Sequence, residues 1–159
     1  VLPDDVILAE VPALSQMRSV FEDTGGPVVA LMEVSEEETS RYGIVAGELV
    51  SERRFRVTEM VEKPKENPPS RYAIIGPYIL PPDIFPMLEK TQQGAGGEIQ
   101  LTDAMAELVR QGDFYGYVFE GTRYDAGEKL GYLKATVDYA LRHPKLGREF
   151  REYLKDAVL

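Results

Sequence analysis

The sequence predicts an α/β domain with a mixed sheet. Apolar runs rich in β-branched residues alternate with stretches whose apolar residues recur every three or four positions, a pattern typical of α/β proteins. Between residues 42 and 80 several strand patterns follow one another without a helix, which favours antiparallel neighbours in the same sheet. The 159 residues suit one domain, since domains commonly have roughly 100–200 residues.

The composition excludes several classes of protein. With 18 basic and 27 acidic residues the net charge is −9, which disfavours a protein that tracks nucleic-acid phosphates, although a divalent cation can still bring in a nucleotide. The absence of cysteine and the single histidine exclude disulfides, sulfur-ligated zinc and a multi-histidine metal cage. No apolar run approaches the roughly 20 residues of a membrane span, and no leader is visible. A soluble, cytoplasmic protein without nucleic-acid or membrane partners is expected.

The first predicted elements are a strand and a helix. Val1-Leu2-Pro3-Asp4-Asp5-Val6-Ile7 has the pattern of a buried strand that runs into an acidic loop. A strand at the first residue suggests that earlier chain is missing; a trimmed terminus from which nothing is lost is the alternative. Residues 13–23 predict a helix that Gly25-Gly26 end. Its buried positions are expected to be Leu14, Met17, Val20 and Phe21.

Strand patterns dominate residues 28–80. Val28–Val34 is a short β-branched run that suits a strand covered on both faces. Ser35 and Glu38 have capping-box spacing and predict a short helix or turn that leads to Tyr42-Gly43. A proline-rich loop then precedes a strand over residues 72–80, which Gly76-Pro77 interrupt. In the strand before that loop, one face is expected to carry Phe55, Val57, Glu59 and Val61.

The second half is predicted to be richer in helices. A short helix over 83–90 and a flexible loop over 94–97 precede an amphipathic helix that begins near Leu101 and ends at Gly112. A strand over 114–119 and a loop over 121–127 follow. Two terminal helices are then expected, separated by His143-Pro144. Their buried positions are predicted to be Leu130, Leu133, Val137 and Leu141 in the first and Leu146, Phe150 and Leu154 in the second.

Three short motifs carry groups suited to chemistry. Asp4-Asp5 supplies two carboxylates at a predicted strand end, and proteins hold Mg²⁺ through one or two carboxylates plus substrate phosphates. In Glu62-Lys63-Pro64, a carboxylate that can accept hydrogen bonds from sugar hydroxyls stands beside an ammonium that suits a phosphate. In Asp125-Ala126-Gly127, small residues next to an acid permit the close approach of a ligand.

Each motif also has an ordinary structural explanation. Asp4-Asp5 is compatible with an Asx turn or a helix cap, and Asp125-Ala126-Gly127 with a turn before a helix. Glu62-Lys63 suits a solvated charge pair, and its two side chains project to opposite faces of a strand unless a bulge or twist re-aims one. Tyr42-Gly43 suits either a common turn or a backbone N–H offered to a ligand. His143 is expected to cap a helix C-terminus.

The order of the motifs along the chain is more specific than any one of them. The series is Leu2-Pro3-Asp4-Asp5, Tyr42-Gly43-Ile44-Val45, Val61-Glu62-Lys63-Pro64, Ala73-Ile74-Ile75-Gly76-Pro77-Tyr78, Gly97-Glu98-Ile99-Gln100-Leu101-Thr102-Asp103 and Asp125-Ala126-Gly127-Glu128-Lys129-Leu130-Gly131-Tyr132. It closely resembles the C-terminal half of bacterial UTP–glucose-1-phosphate uridylyltransferases and covers essentially the whole chain.

The resemblance implies a Rossmann-like, glycosyltransferase-A-type nucleotidyltransferase fold with a mixed sheet and terminal helices. Residues 1–159 would be the C-terminal portion of a single domain, without the N-terminal glycine-rich segment that binds the nucleotide. The implied activity is the Mg²⁺-dependent conversion of UTP and glucose 1-phosphate to UDP-glucose and pyrophosphate by a homo-oligomer, a dimer or a tetramer. Negligible turnover is expected from this chain alone.

The resemblance also implies roles for the acidic residues. Asp4 and Asp125 would hold the metal, with Asp5 as a helper or alternative ligand. The family commonly has cysteine and asparagine where Ala126 and Glu128 stand here. Glu128 would place a further acid close to the metal and so alter the metal preference.

The substrate side of the site is implied in the same way. Glu62 would bind the glucose hydroxyls and Lys63 the sugar phosphate, while the backbone N–H of Gly43 contacts the sugar. Ile74 and Tyr78 would line the pocket. The rival interpretations are another sugar-1-phosphate nucleotidyltransferase, such as a thymidylyltransferase, and a non-catalytic sugar-nucleotide-binding or oligomerisation module that uses residues 130–159 as a partner surface.

Overall fold

The structure, a computed structural model, describes residues 1–94 and 97–157. Its strands are β1 (Asp5–Leu8), β2 (Val28–Glu33), β3 (Gly43–Leu49), β4 (Arg54–Glu62), β5 (Tyr72–Ile79), β6 (Tyr115–Val118) and β7 (Thr122–Asp125). Its α-helices are α1 (Ala13–Thr24), α2 (Ile84–Lys90), α3 (Leu101–Gln111), α4 (Lys129–Arg142) and α5 (Gly147–Ala157). The predicted loop over 94–97 lies partly outside the described residues. Over the part that is described, no helix combines the length and apolar character needed to cross a bilayer.

The chain divides into two compact units. The first comprises Val1 and Val11–Glu120 and contains β2 to β6 with α1 to α3. The second comprises Leu2–Glu10 and the residues from Gly121 onward, and it contains β1, β7, α4 and α5.

The sheet of the first unit is mixed, as the sequence predicts. Its strands have the order β2-β5-β3-β4-β6, and it closes on itself because β6 also pairs with β2. The β2–β6 pair is parallel, with Val28 opposite Tyr115, and the other neighbours are antiparallel. β5 continues through Gly76-Pro77, but its pairing with β2 is interrupted there, as predicted: Val29 lies opposite Tyr78 and Ala30 opposite Ile75, so the register passes over Gly76-Pro77.

The core of the first unit lies between this sheet and its helices. Both faces of β2 are covered, and α3 packs on β4. The predicted helix face of α1 is only half buried: Met17 and Val20 are inside, whereas Leu14 and Phe21 are more than 40% exposed. The buried residues of α1 are Ala13, Met17 and Val20, and the helix contacts β2, β5 and β6. The core cluster consists of Val29, Leu31, Val45, Phe55, Val57, Met60, Ile74, Ile84, Ala104, Met105, Leu108 and Phe114.

The predicted inward face of β4 is wrong beyond Val57. Phe55 and Val57 are buried, but Met60 takes the next inward position and Glu59 is exposed. The cause is a register shift against β3 between Ala46 and Gly47, which places an extra residue on β4. An extra residue reverses the alternation of all side chains after it. Glu62, two residues after Met60, therefore lies on the inward face.

Two sequence predictions, one for residues 1–7 and one for residues 121–127, are wrong. Val1 is 83% exposed and no strand includes it; β1 begins at Asp5. The predicted loop over 121–127 contains β7, which pairs with β1 antiparallel so that Asp5 lies opposite Asp125. Thr-Arg-Tyr-Asp has no apolar run to predict a strand, and its pairing partner lies more than a hundred residues away.

The terminal helices of the second unit are where the sequence predicts them, but their faces differ. Ala135 is buried on α4, while Leu130, Leu133 and, just before α5, Leu146 are all more than half exposed. His143 is the C-terminal cap of α4, as the sequence predicts, and its backbone N–H donates to the Ala140 carbonyl. Its Nδ1 also accepts hydrogen bonds from the backbone N–H groups of Lys145 and Leu146, just before α5. Satisfying such N–H groups is the normal task of an N-terminal cap.

A buried hydrogen bond ties β7 to α4. The Tyr124 hydroxyl donates to the carboxylate of Asp138, and this bond, together with burial and the negative charge of Asp138, raises the pKa of Tyr124. Because the folded-state pKa is raised, the stabilisation is complete below the ordinary tyrosine pKa of about 10. It is lost as the pH rises through the folded-state value.

We predict that Tyr124→Phe lowers the free energy of unfolding by about 1.5–3 kcal/mol at pH 7, the range for hydrogen bonds to charged groups. The difference between the two proteins should shrink above about pH 10, where the tyrosine of the unfolded wild type ionises while the raised pKa keeps the folded hydroxyl protonated. Urea unfolding followed by circular dichroism at pH 7 and pH 11 measures both effects. Tyr132→Phe is the control, because Tyr132 is 58% exposed. A deficit for Tyr124→Phe that does not change with pH would contradict this account.

Candidate functional site

A short 3₁₀ helix brings the chain to Gly43 in the first unit. Glu37–Arg41 forms this helix, and the predicted capping interaction is present, since the Ser35 N–H donates to the Glu38 carboxylate at 3.0 Å. Hydrogen bonds to Ser35 lower the pKa of Glu38, the one from the backbone N–H most strongly. Lys63 N–H then donates to the carbonyl of Tyr42 at 2.9 Å. Gly43 is thereby fixed opposite Glu62 at the joined ends of β3 and β4.

The structure brings Glu62 and Lys63 to the same side of β4. Lys63 has a left-handed backbone, with φ of 45°, which costs a residue other than glycine roughly 1–2 kcal/mol. This twist re-aims its side chain, so that Nζ lies 3.4 Å from Oε1 of Glu62. The Glu62 side chain is 11% exposed and that of Lys63 is 47% exposed. A shielded carboxylate therefore stands beside an accessible ammonium.

Gly43 permits the close packing of this corner. A Cβ at Gly43 would lie 2.7 Å from Oγ1 of Thr102 and 3.1 Å from Oε2 of Glu62. Thr102, in the first turn of α3, is 8% exposed. Thr102 lies in one of the sequence motifs named above, but the sequence assigned no role to it. The missing signal was the pairing of β3 with β4, which places Gly43 and Glu62 against this helix.

Ile74 and Tyr78 both belong to β5. Ile74 is 7% exposed and part of the apolar core, and Tyr78 is partly buried against the same core. Their part in lining a substrate pocket stays a prediction. A separate cleft of about 950 Å³ lies along α2 and α3, and none of the predicted site residues is among the residues that line it.

The second unit brings Asp4 and Asp125 together. The Ala126 N–H donates to the Asp4 carbonyl at 2.8 Å and continues the β1–β7 pairing up to these residues. Oδ2 of Asp4 and Oδ1 of Asp125 each lie 3.3 Å from the position that a Cβ of Gly127 would take. The two carboxylates thus border one small space that glycine leaves open.

Asp5 is held differently from its neighbour Asp4. Its Oδ1 accepts hydrogen bonds from Arg123 at 2.7 Å from Nε and 2.6 Å from Nη2. The side chains of Asp5 and Arg123 are only 5% and 10% exposed. Nη2 of Arg123 also lies 3.3 Å from Oδ2 of Asp125. Arg123 was not among the predicted site residues. Its segment was predicted to be a loop, and the side chain of a loop residue cannot be assigned to a face.

The acid at position 128 has a structural partner. The Glu128 carboxylate accepts a hydrogen bond from the Gly131 N–H at 2.9 Å and caps the N-terminus of α4. Gly131 is needed at this place, since a Cβ there would lie 2.0 Å from the carbonyl oxygen of Asp125. The first turn of α4 therefore packs directly on the backbone of Asp125 and holds it in place.

The oxygen donors of Asp4 and Asp125 fit a hard divalent cation. Within residues 1–94 and 97–157, no group of three or more His, Asp or Glu side chains converges as a fully protein-ligated site would require. Two carboxylates beside an open space suit Mg²⁺, which keeps several waters and takes the rest of its ligands from substrate phosphates.

Curated relatives match nearly the whole chain. The UTP–glucose-1-phosphate uridylyltransferase of Staphylococcus haemolyticus is 46% identical over 156 residues, which are 98% of this chain and 54% of the relative. The uridylyltransferase of Staphylococcus epidermidis is 44% identical over 155 residues, 97% of this chain and 54% of the relative. The chain therefore spans about half the length of the curated relatives that it matches. Its assignment to their C-terminal portion stays a prediction.

Solved structures show the same fold. A UDP-glucose pyrophosphorylase complexed with UDP-glucose has a TM-score of 0.81 and 41% identity, over 86% of this chain and 53% of that one. A UTP-bound UDP-glucose pyrophosphorylase from Acinetobacter baumannii has a TM-score of 0.84 and 35% identity, over 96% and 54%. These matches confirm the predicted α/β nucleotidyltransferase fold. A model of the nucleotidyl transferase family matches residues 1–142, and the chain belongs to this family.

Proposed function

We propose that this chain supplies the sugar-, phosphate- and metal-binding residues of a UTP–glucose-1-phosphate uridylyltransferase. The observation that carries the proposal is the 44–46% identity, over nearly all of the chain, to proteins with that name. A glucose-1-phosphate thymidylyltransferase structure, named as putative, is only 23% identical, so this likeness extends to the fold alone. The cytoplasmic location and the homo-oligomeric state stay predictions.

Glu62 and Gly43 are proposed to bind the sugar. The Lys63 N–H donates to Tyr42, so the next pair, Gly43 opposite Glu62, is of the type without hydrogen bonds between the two strands. The N–H of Gly43 is therefore directed away from β4. A shielded carboxylate is a strong acceptor for hydroxyl groups, because charge-assisted hydrogen bonds are about twice as strong as neutral ones.

Lys63 is proposed to bind the phosphate of glucose 1-phosphate. Its ammonium is accessible yet anchored, because the left-handed backbone and the neighbouring Glu62 carboxylate limit the directions it takes. A preorganised charge of this kind needs no rearrangement when the reaction begins.

Asp4 and Asp125 are proposed to hold Mg²⁺. The bound ion neutralises charge on the phosphates of the two substrates. In the reaction, a phosphate oxygen of glucose 1-phosphate attacks the α-phosphorus of UTP, the bond from that phosphorus to the β-phosphate bridge breaks, and pyrophosphate leaves. Such transfers depend on positioning and charge neutralisation more than on covalent chemistry by the protein. Pyrophosphate release from UTP, glucose 1-phosphate and Mg²⁺ by the full-length protein tests the proposal, and its absence would contradict it.

We predict that Lys63→Ala lowers the turnover of the full-length protein by about 10²–10³-fold, the usual effect of removing one preorganised charge. Steady-state pyrophosphate release measures this loss, and circular dichroism checks that the fold is kept. Lys65→Ala is the matched control, because Lys65 is an exposed lysine only two positions further on. Near-normal turnover of Lys63→Ala would exclude the phosphate role.

Asp125→Asn is expected to abolish the activity that depends on Mg²⁺, because an amide oxygen binds a hard cation more weakly than a carboxylate does. A Mg²⁺ titration of pyrophosphate release measures the effect. Asp156→Asn, an exposed aspartate on α5, should titrate as the wild type does. If Asp125→Asn keeps the wild-type dependence on Mg²⁺, Asp125 does not belong to the metal site.

Gly43→Ala should raise the KM for glucose 1-phosphate by about 10- to 100-fold, the loss of one hydrogen bond to a charged group. The added Cβ would meet both Thr102 and the Glu62 carboxylate, so the carboxylate has to shift. The KM for UTP should change far less. Gly112→Ala is the control, since a Cβ there meets nothing within 4 Å. Equal changes in both KM values would point to general damage to the fold.

A further inference from the structure

We infer that Arg123 is a positioning residue for the cation site: it keeps Asp5 out of the ligand set and orients Asp125. The inference rests on the proposed function, because it takes Asp4 and Asp125 to be the residues that hold the metal. It also decides between Asp4 and Asp5, which the sequence left open as alternative ligands.

The strand register places the participating groups on one face. Asp5 lies opposite Asp125 and Ile7 opposite Arg123. Residues two apart on a strand share a face, and directly opposite residues do too. Asp5, Arg123 and Asp125 therefore share one face of the β1–β7 pair, with Arg123 diagonal to Asp5 and within its reach.

Arg123 interacts differently with the carboxylates of Asp5 and Asp125. Both its Nε and its Nη2 donate to Asp5, and this side-chain pair is almost fully buried. Its contact with Asp125 is longer, 3.3 Å, and uses Oδ2. The other oxygen of Asp125, Oδ1, accepts a hydrogen bond from the Gly127 N–H at 3.2 Å and faces the space shared with Asp4. Asp5 is thus occupied by the guanidinium, and Asp125 is turned with one oxygen toward Asp4.

The local charges fit a divalent cation. Asp4, Asp5 and Asp125 contribute three negative charges and Arg123 one positive charge, so the four side chains together carry −2. Without the guanidinium, the buried Asp5 would lose the ion pair that balances its charge next to Asp125. Leaving one member of a buried ion pair alone is strongly unfavourable, much more so than replacing both members.

The test is a double-mutant cycle on Mn²⁺ affinity, measured on the purified chain by the electron paramagnetic resonance signal of free Mn²⁺. Arg123→Gln should tighten Mn²⁺ binding by about five-fold or more, because it removes a positive charge that lies 3.3 Å from Oδ2 of Asp125, a proposed ligand of the cation. Asp5→Asn should weaken binding by a similar factor, because Arg123 then turns its full charge toward Asp125.

The double variant Asp5→Asn with Arg123→Gln separates the two roles for Asp5. If Asp5 and Arg123 act as a pair whose charges cancel, the double variant keeps the local charge of −2 and should bind Mn²⁺ within about two-fold of the wild type, since contacting residues couple in such cycles. If Asp5 is a metal ligand, the double variant stays as weak as Asp5→Asn, and this result would overturn the inference. The comparison stands even if Arg123→Gln alone does not fold, because the double variant leaves no unpaired buried charge.

Two further variants complete the test. Arg123→Lys keeps the positive charge and should bind Mn²⁺ nearly as the wild type does; tightening equal to that of Arg123→Gln would contradict the charge argument. Arg18→Gln removes an arginine from the exposed Arg18–Glu22 pair and should leave the affinity unchanged. Asp125→Asn should abolish binding. Wild-type affinity in that variant would reject the proposed metal site itself, and the inference with it, whereas a failed cycle with Asp125→Asn inactive rejects the inference alone.

Discussion

The antiparallel pairing of β1 with β7 is the constraint on which the candidate metal site depends. It joins Arg123 to Asp5, which are 118 positions apart in the chain, and it brings Asp4 within reach of Asp125. The register is determined by more than backbone hydrogen bonds. A slip of β1 by one residue would turn Asp5 away from the face that carries Arg123 and Asp125, and would separate a buried carboxylate from its guanidinium, at a cost of several kcal/mol. The charge pair and the strand pair therefore enforce each other.

In the first unit, irregular backbone geometry brings the side chains of Glu62 and Lys63 together. On a regular strand, Glu62 and Lys63 would point to opposite faces. The register shift near Gly47 first turns Glu62 inward, and the left-handed backbone of Lys63 then swings the next side chain back beside it. Backbone strain of this kind persists only where the surroundings impose it, and here the hydrogen bond from Lys63 N–H to Tyr42 does so. Among the described residues other than glycine, Lys63 and Asn67 have a left-handed backbone, and Lys63 is the one with a proposed binding role.

The sequence predicts what depends on local patterns and misses what depends on distant partners. Buried β2, α1 with its glycine stop, and the Ser35–Glu38 cap follow from neighbouring residues and are confirmed. Residues 121–127 were predicted to be a loop, and Glu59, not Met60, was predicted to face inward; both predictions were wrong. The strand β7 depends on pairing with β1, and the inward position of Met60 depends on the register against β3. The same division holds for the candidate site. The motif residues were recognisable one by one, but Thr102 and Arg123 act through partners that only the pairing of strands brings near. Leu133 and Leu146 were predicted to be buried but are exposed. An apolar stripe identifies the apolar face of a helix, but it does not show whether another element covers that face.

The charges of the molecule gain meaning only when they are located. The net charge of −9 by itself merely disfavours a phosphate-binding protein. Most carboxylates that have an arginine partner form exposed pairs such as Arg56–Asp113, and these pairs contribute little to stability or to the electrostatic field of the protein. The pair that matters is the shielded one, Arg123 with Asp5, because burial strengthens both its attraction and the cost of breaking it. With that pair neutral, Asp4 and Asp125 remain as two carboxylates for one divalent cation. Under the proposed function, an acidic protein can in this way bind anionic phosphates: Asp4 and Asp125 would hold the cation, and Lys63 would add a positive charge that the net charge hides.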